Sequence, residues 1–130
     1  MRGGNSIITA VKQAGVPRLL VVGGAGSLEV KAGIKVMDNP AFPPEWKGAA
    51  LGLSDILEQL RSEKELGWTF LSPAEDIVPG QRTGRFRLGN DQLMVDATGH
   101  SRISIEDYAL AMVDELETPL HTGRRFSIAY

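Results

Sequence analysis

The stretch Pro17-Arg18-Leu19-Leu20-Val21-Val22-Gly23-Gly24-Ala25-Gly26-Ser27-Leu28-Glu29-Val30 decides the fold. An apolar run from Leu19 to Val22 breaks into Gly23, Gly24, Gly26 and Ser27, leaving backbone and a hydroxyl open at a strand end. In open α/β sheets ligands bind there, beyond the carboxyl ends of parallel strands. Gly24-Ala25-Gly26 opens like the phosphate-binding turn G-x-G-x-x-G, but Glu29 holds the place of the third glycine. Ala32-Gly33 and Asn39-Pro40 also interrupt any helix after it. The stretch reads as a ligand loop at a strand end, not as a pyrophosphate cradle.

Working outward from it, Ile7, Ile8, Val11 and Ala14 mark one face of a helix, with Asn5 or Ser6 as N-cap. Gly15 stops that helix and Pro17 forbids its continuation. On the other side, residues 28–44 form a connection punctuated by Pro40, Pro43 and Pro44. A helix is predicted from about Glu45 to Arg61, burying Leu53, Ile56, Leu57 and Leu60. Gly48 and Gly52 weaken it by about 1 kcal/mol each relative to alanine and would let a neighbour come close. Trp68 to Leu71 is a second buried strand, ended by Ser72-Pro73; strand–helix–strand implies parallel pairing. Residues 84–88 and 92–95 alternate around Gly89-Asn90-Asp91, the signature of a hairpin. Ser104 and Asp107 resemble a capping box opening a helix with Tyr108, Ala109, Met112, Val113 and Leu116 on one face. Pro119 ends that helix, and Arg125 to Ala129 supplies a third parallel strand.

At 130 residues the chain is one domain, able to bury roughly two-thirds of its unfolded surface. A net charge of −2 disfavours nucleic acid or an anionic membrane as main partner. Cysteine is absent, which excludes thiolate chemistry and permits a reducing compartment. No apolar run approaches transmembrane length and no hydrophobic signal core opens the chain, so a cytoplasmic location is expected. Strand 18–22 is apolar enough to be central, yet these elements leave it without a neighbour on one side. An exposed apolar edge is a liability, so a second copy of the chain or further sequence is expected to cover it.

Ala14-Gly15-Val16-Pro17-Arg18-Leu19-Leu20-Val21-Val22-Gly23-Gly24 resembles the fourth helix and fifth strand of atypical short-chain dehydrogenase/reductases. More narrowly it is similar to the NAD(P)H-binding, NADH-flavin-reductase-like and NmrA-like group, with epimerase/dehydratase relatives. Trp68-Thr69-Phe70-Leu71-Ser72-Pro73-Ala74 resembles that group's sixth strand and cleft loop. Arg82 to Gly89 and Ile103 to Ala109 match its substrate-side hairpin and following helix. The resemblance implies an α/β fold: a truncated Rossmann-like sheet of parallel strands with flanking helices, plus a small β-hairpin lobe. It also implies that the chain is the C-terminal, substrate-side half, lacking the glycine-fingerprint half that grips the cofactor diphosphate. NAD(P)H is the implied cofactor and a flavin or quinone the implied acceptor. A non-catalytic, NmrA-like nucleotide sensor that self-associates through the open edge is the alternative.

Residue by residue, the resemblance places Gly23, Gly24, Gly26 and Ser27 beside the nicotinamide, although glycine and serine are also ordinary turn residues. It places Lys47 at the cofactor ribose, the competing reading being a solvated lysine in a first helical turn. The family's catalytic tyrosine would fall at Pro43, so no catalytic residue is assigned. Ser72, Pro73 and Ala74 are expected on the substrate side of the cleft, and Glu75 and Asp76 as surface charge. Arg82, Arg85 and Arg87 are read as sharing one strand face, solvated or paired with acids such as Asp91; Arg124 and Arg125 receive the same reading. His100 and His121 have no second ligand at metal-binding spacing, so no metal site is expected.

Overall fold

The computed structural model describes residues 2–130, with side chains from Ser6 onward. Helix α1 (Arg2–Gln13) leads through Gly15, whose φ of 73° is the left-handed turn that ends it, into β1 (Arg18–Val22). A ribbon of β2 (Glu29–Lys31) and β3 (Ile34–Lys35) follows, then α2 (Pro44–Arg61) and β4 (Gly67–Ser72). Short strands β5 (Asp76–Val78), β6 (Arg87–Gly89) and β7 (Arg102–Ser104) precede α3 (Ile105–Glu117) and β8 (Arg124–Ala129).

The main sheet runs β1-β4-β8-β6. Strands β1, β4 and β8 are parallel, with Val22 opposite Leu71 and Leu71 opposite Phe126, while β6 is antiparallel to β8. Helices cover both faces. On one side α2 packs Leu57 and Leu60 on Trp68 and Phe70, joined by Ile8 of α1 and by Leu19 and Val21 of β1. On the other, Tyr108 and Ala111 of α3 meet Leu71, Phe126 and Ile128. Phe70 and Phe126 are almost fully buried, and each removes enough apolar surface from water to stabilise the fold by roughly 1.5–3 kcal/mol. The doubly covered parallel sheet is the predicted Rossmann-like α/β architecture, and the observed strands at 18–22, 67–72 and 124–129 match expectation closely.

Several local expectations need correction. Asn5 and Ser6 lie inside α1 instead of capping it, because a nucleated helix gains one hydrogen bond for each residue added. Segments 84–88 and 92–95 do not pair as a hairpin. Strand β6 pairs with β8, Arg87 opposite Ala129, since an isolated two-stranded hairpin is marginal and β8 offers a buried strand. The small antiparallel ribbon is built instead by β2 and β3. Helix α3 is also rotated relative to its apolar pattern. Asp107, Tyr108, Ala111 and Glu115 are buried, whereas Ala109, Val113 and Leu116 are exposed. Ser104 caps the helix as predicted, its Oγ accepting from the Asp107 amide at 3.0 Å. The Asp107 carboxylate does not return that contact; it accepts from the Thr83 and Gly84 amides, both at 2.9 Å. Two buried carboxylates that find hydrogen-bond partners outweigh three apolar side chains left in water, because an unpaired buried charge is the costlier arrangement.

Candidate functional site

At the carboxyl ends of β1 and β4 lies a cavity of about 750 Å³. Gly24, Ala25 and Gly26 form one wall, the β2–β3 ribbon with Lys31 and Lys35 a second, and Phe42, Pro43, Trp46, Ala50 and Leu53 a third. Glu75 and Asp76, just past β4, close it. Phe42 and Trp46 meet edge to face, centroids 6.3 Å apart, and Trp46 remains 60% exposed, so a flat ring has an aromatic surface to lie on.

The glycines shape this wall for a reason internal to the fold. A Cβ at Gly26 would stand 2.8 Å from Ala50 Cβ, and one at Gly24 would stand 3.0 Å from Leu53 Cδ1. The loop is therefore pressed on α2, and it presents backbone instead of side chains to the cavity. Gly23 lies deeper, where a Cβ would fall 2.2 Å from the Phe70 ring, and its amide donates to Leu71 O at 2.9 Å. No comparable approach occurs at Gly48, where a Cβ would meet nothing.

Of the residues singled out in sequence, Gly24 and Gly26 line the cavity together, and Gly23 and Ser27 are buried beside them. Lys47 is exposed in the first turns of α2 and is not part of the lining, whereas Pro43 is. Ser72, Pro73 and Ala74 are buried and do not line it; Ala74 packs instead in the core with Leu71, Ile103 and Tyr108. Glu75 and Asp76, read as surface charge, are the residues of that segment that reach the cavity. No sequence signal separated them from ordinary loop acids; their place follows from β4 ending where β1 ends.

Arg125, read in sequence as solvated or paired with an acid such as Asp91, does pair with Asp91, but its burial and its links to two serines were not foreseen. Its side chain is buried between the strand ends. Nε donates to Asp91 Oδ1 at 2.9 Å, Nη1 to Ser27 Oγ at 2.9 Å and Ser72 Oγ at 3.2 Å, and Nη2 to Ser27 O at 3.2 Å. Burial pulls the guanidinium pKa down, against the Asp91 contact that raises it. At Asp91 burial pushes the carboxyl upward, but hydrogen bonds from Arg125 and Arg61 outweigh it and hold the group below its ordinary value. A single arginine thus satisfies two buried serine hydroxyls and a carboxylate, a fan its planar fork can supply and an ammonium cannot.

Both tyrosines of the chain are committed elsewhere. Tyr108 donates to Leu71 O at 2.7 Å, and burial pushes its phenol far above the usual range. Tyr130 donates to the Asp107 carboxylate. Only Arg87 of the predicted arginine face is in a strand, where it reaches Val95 O at 2.8 Å; Arg82 and Arg85 lie on an irregular loop. Glu115 accepts from Arg18 at 3.0 Å and contacts His121 Nδ1 at 2.8 Å. Burial raises the Glu115 pKa, but these partners bring it below the ordinary value. His100 contacts Thr98 in an exposed turn at 2.8 Å. Among the described residues no group of three or more His, Asp or Glu could hold a metal ion, and no helix is long and apolar enough to cross a membrane.

The chain is 44% identical over 131 residues to the uncharacterized protein YwnB of Bacillus subtilis, covering 98% of this chain but 62% of that protein. The structure of a "putative epimerase" from Bacteroides thetaiotaomicron superposes with a TM-score of 0.92 at 50% identity, over 95% of this chain and 58% of that one. That of a "putative NADH-flavin reductase" from Streptococcus pneumoniae gives 0.80 at 42% identity, over 86% and 55%. The chain thus spans less than two-thirds of the length of each. The model of the NAD(P)H-binding family matches residues 1–119. A glycine loop and an open cavity at the ends of parallel strands are where such a family would place its ligand, and the chain belongs to the NAD(P)H-binding family.

Proposed function

We propose that these residues form the nicotinamide- and acceptor-facing side of an NAD(P)H-dependent oxidoreductase whose acceptor is a flat flavin or quinone. The observation that carries this reading is the cavity wall of Gly24, Ala25 and Gly26 at the carboxyl ends of β1 and β4. Reduced nicotinamide supplies the hydride when bound; the protein orients it and excludes competing reactions. The chain's own residues fit that division of labour. Loop backbone forms one wall, and Phe42 and Trp46 offer aromatic surface to a planar acceptor. Neither tyrosine lines the cavity and Pro43 stands where the family resemblance would place one, so a carbonyl would find no phenol to protonate it. Flavins and quinones can take their protons from water, which favours them as acceptors. In this reading Ser27 and Arg125 support the nicotinamide wall from beneath, and Lys47 is left to a ribose reaching beyond the cavity. The unpaired edge of β1, with Val22 63% exposed, is assigned to a second copy of the chain.

The test titrates NADH and NADPH against the melting temperature of the chain to millimolar concentration, then follows oxidation of the reduced nucleotide with flavin mononucleotide or a quinone as acceptor. A shift with turnover supports the proposal. A shift without turnover would favour a nucleotide sensor, and no shift with either nucleotide overturns the binding itself.

A further inference from the structure

Arg125 is a buried cation for which hydride transfer has no direct use, and its partners are spread along the chain. Ser27 is 98 residues away and Ser72 is 53. Each belongs to a segment that carries a cavity wall. Ser27 directly follows Gly26, and Ser72 ends β4 shortly before Glu75 and Asp76. The third partner, Asp91, holds the ribbon: its carbonyl accepts from the Glu29 amide at 2.8 Å, and Glu29 O accepts from the Leu93 amide at 2.8 Å. Arg61 on α2 donates to the same Asp91 carboxylate at 3.0 Å.

We propose that Arg125 is a positioning residue for the cleft: from β8 it fixes the glycine loop, the end of β4 and the base of the β2–β3 ribbon relative to one another. It does not line the cavity. It sets the separation between the Gly24–Gly26 wall and the Glu75–Asp76 wall, and so the fit of whatever lies between them. The physical ground is that a guanidinium removed from water must keep its hydrogen-bond partners, so the segments supplying them cannot drift independently. The inference rests on the proposed function only for the identity of the ligand.

The experiment compares the full chain with Arg125→Met, Arg125→Lys and Ser27→Ala by amide hydrogen exchange, and by KM and kcat for NADH and NADPH with flavin mononucleotide as acceptor. Arg125→Met is expected to speed exchange over residues 23–31 and 89–93 by about tenfold more than over β4, as local opening separates from global opening. KM for the nucleotide should rise about tenfold with a smaller change in kcat. Arg125→Lys should recover part of both effects, and Ser27→Ala should reproduce the loop effect in weaker form. Equal acceleration across the whole sheet would make Arg125 a support of the fold in general and would overturn the proposal. If Arg125→Met does not fold, unchanged exchange over residues 23–31 in Ser27→Ala overturns it alone. A wild-type chain that binds neither nucleotide would remove the oxidoreductase reading, while the exchange pattern would still decide the role of Arg125.

Discussion

Strands β1 and β4 lie side by side in register and are both rich in apolar residues, Arg-Leu-Leu-Val-Val against Gly-Trp-Thr-Phe-Leu-Ser, yet they live in different environments. Every residue of β4 from Trp68 to Ser72 is buried, and none of β1 is. The contrast is sharpest at one pair. Leu71 is 0% exposed and its direct partner Val22 is 63% exposed. Strand β4 has β8 beyond it, α2 below and α3 above; among the described residues β1 has β4 alone as a strand neighbour. Apolar composition makes a strand fit for burial, but neighbours decide whether burial happens.

The largest expected break in this comparison is Phe70→Ala. It empties the centre of β4 and should cost about 3–5 kcal/mol in denaturant unfolding. In dilute, unassociated chain the equivalent truncation at Val22 should stay within about 0.5 kcal/mol, because little burial is lost there. A midpoint at Val22 falling as far as that at Phe70 would mean that β1 is covered in solution.

Gly23→Ala probes the seam between the two strands. Its Cβ would stand 2.2 Å from the Phe70 ring, so either ring or loop must move. A loss of about 1–3 kcal/mol is expected, and pairing it with Phe70→Leu should recover part of that loss if the ring is the obstacle.

Acid sharpens the contrast from the α3 side. Burial raises the Asp107 pKa, but hydrogen bonds from Tyr130, Thr83 and the Thr83 and Gly84 amides bring it from 3.8 down to about 2. Its contribution to stability is therefore complete above the unfolded value and is lost as pH falls from about 4 towards 2. Asp96, held at about 2 by Thr98 and the His100 amide, titrates over the same range. Melting temperature against pH should thus be compared between the wild type and Asp107→Asn, and the gap between the curves should narrow over that window. A constant gap would show that Asp107 is not charged in the folded chain.

The smallest effect on stability belongs to Val22→Lys, which places a charge on the open edge. Light scattering at two concentrations should show less self-association than in the wild type, with almost no change in the melting temperature of dilute, unassociated chain. A wild type that stays monomeric at both concentrations would remove the second copy from the proposal.

How far the fold was legible follows the range of the interactions concerned. Gly15 before Pro17, the apolar run of β1, the periodicity of α2 and the Ser104 cap are decided by residues a few positions apart, and each appears as predicted. The candidate site was legible in part. Gly24 and Gly26 announce a loop that can face a ligand, and they do line the cavity. Glu75 and Asp76 carried no such mark, and Ser72 to Ala74 looked like cleft residues although they are buried and stand outside its lining.

The amino-acid sequence alone determined the parallel α/β elements, their order and the glycine loop at the end of β1, because turn chemistry and periodicity act locally. Only the tertiary structure decided that β6 joins β8, that Glu115 turns inward while Leu116 stays in water, and that Arg125 is buried between Ser27 and Ser72. Those outcomes depend on which distant segments can satisfy a charge or a strand edge once the chain has closed, and no local pattern encodes that choice.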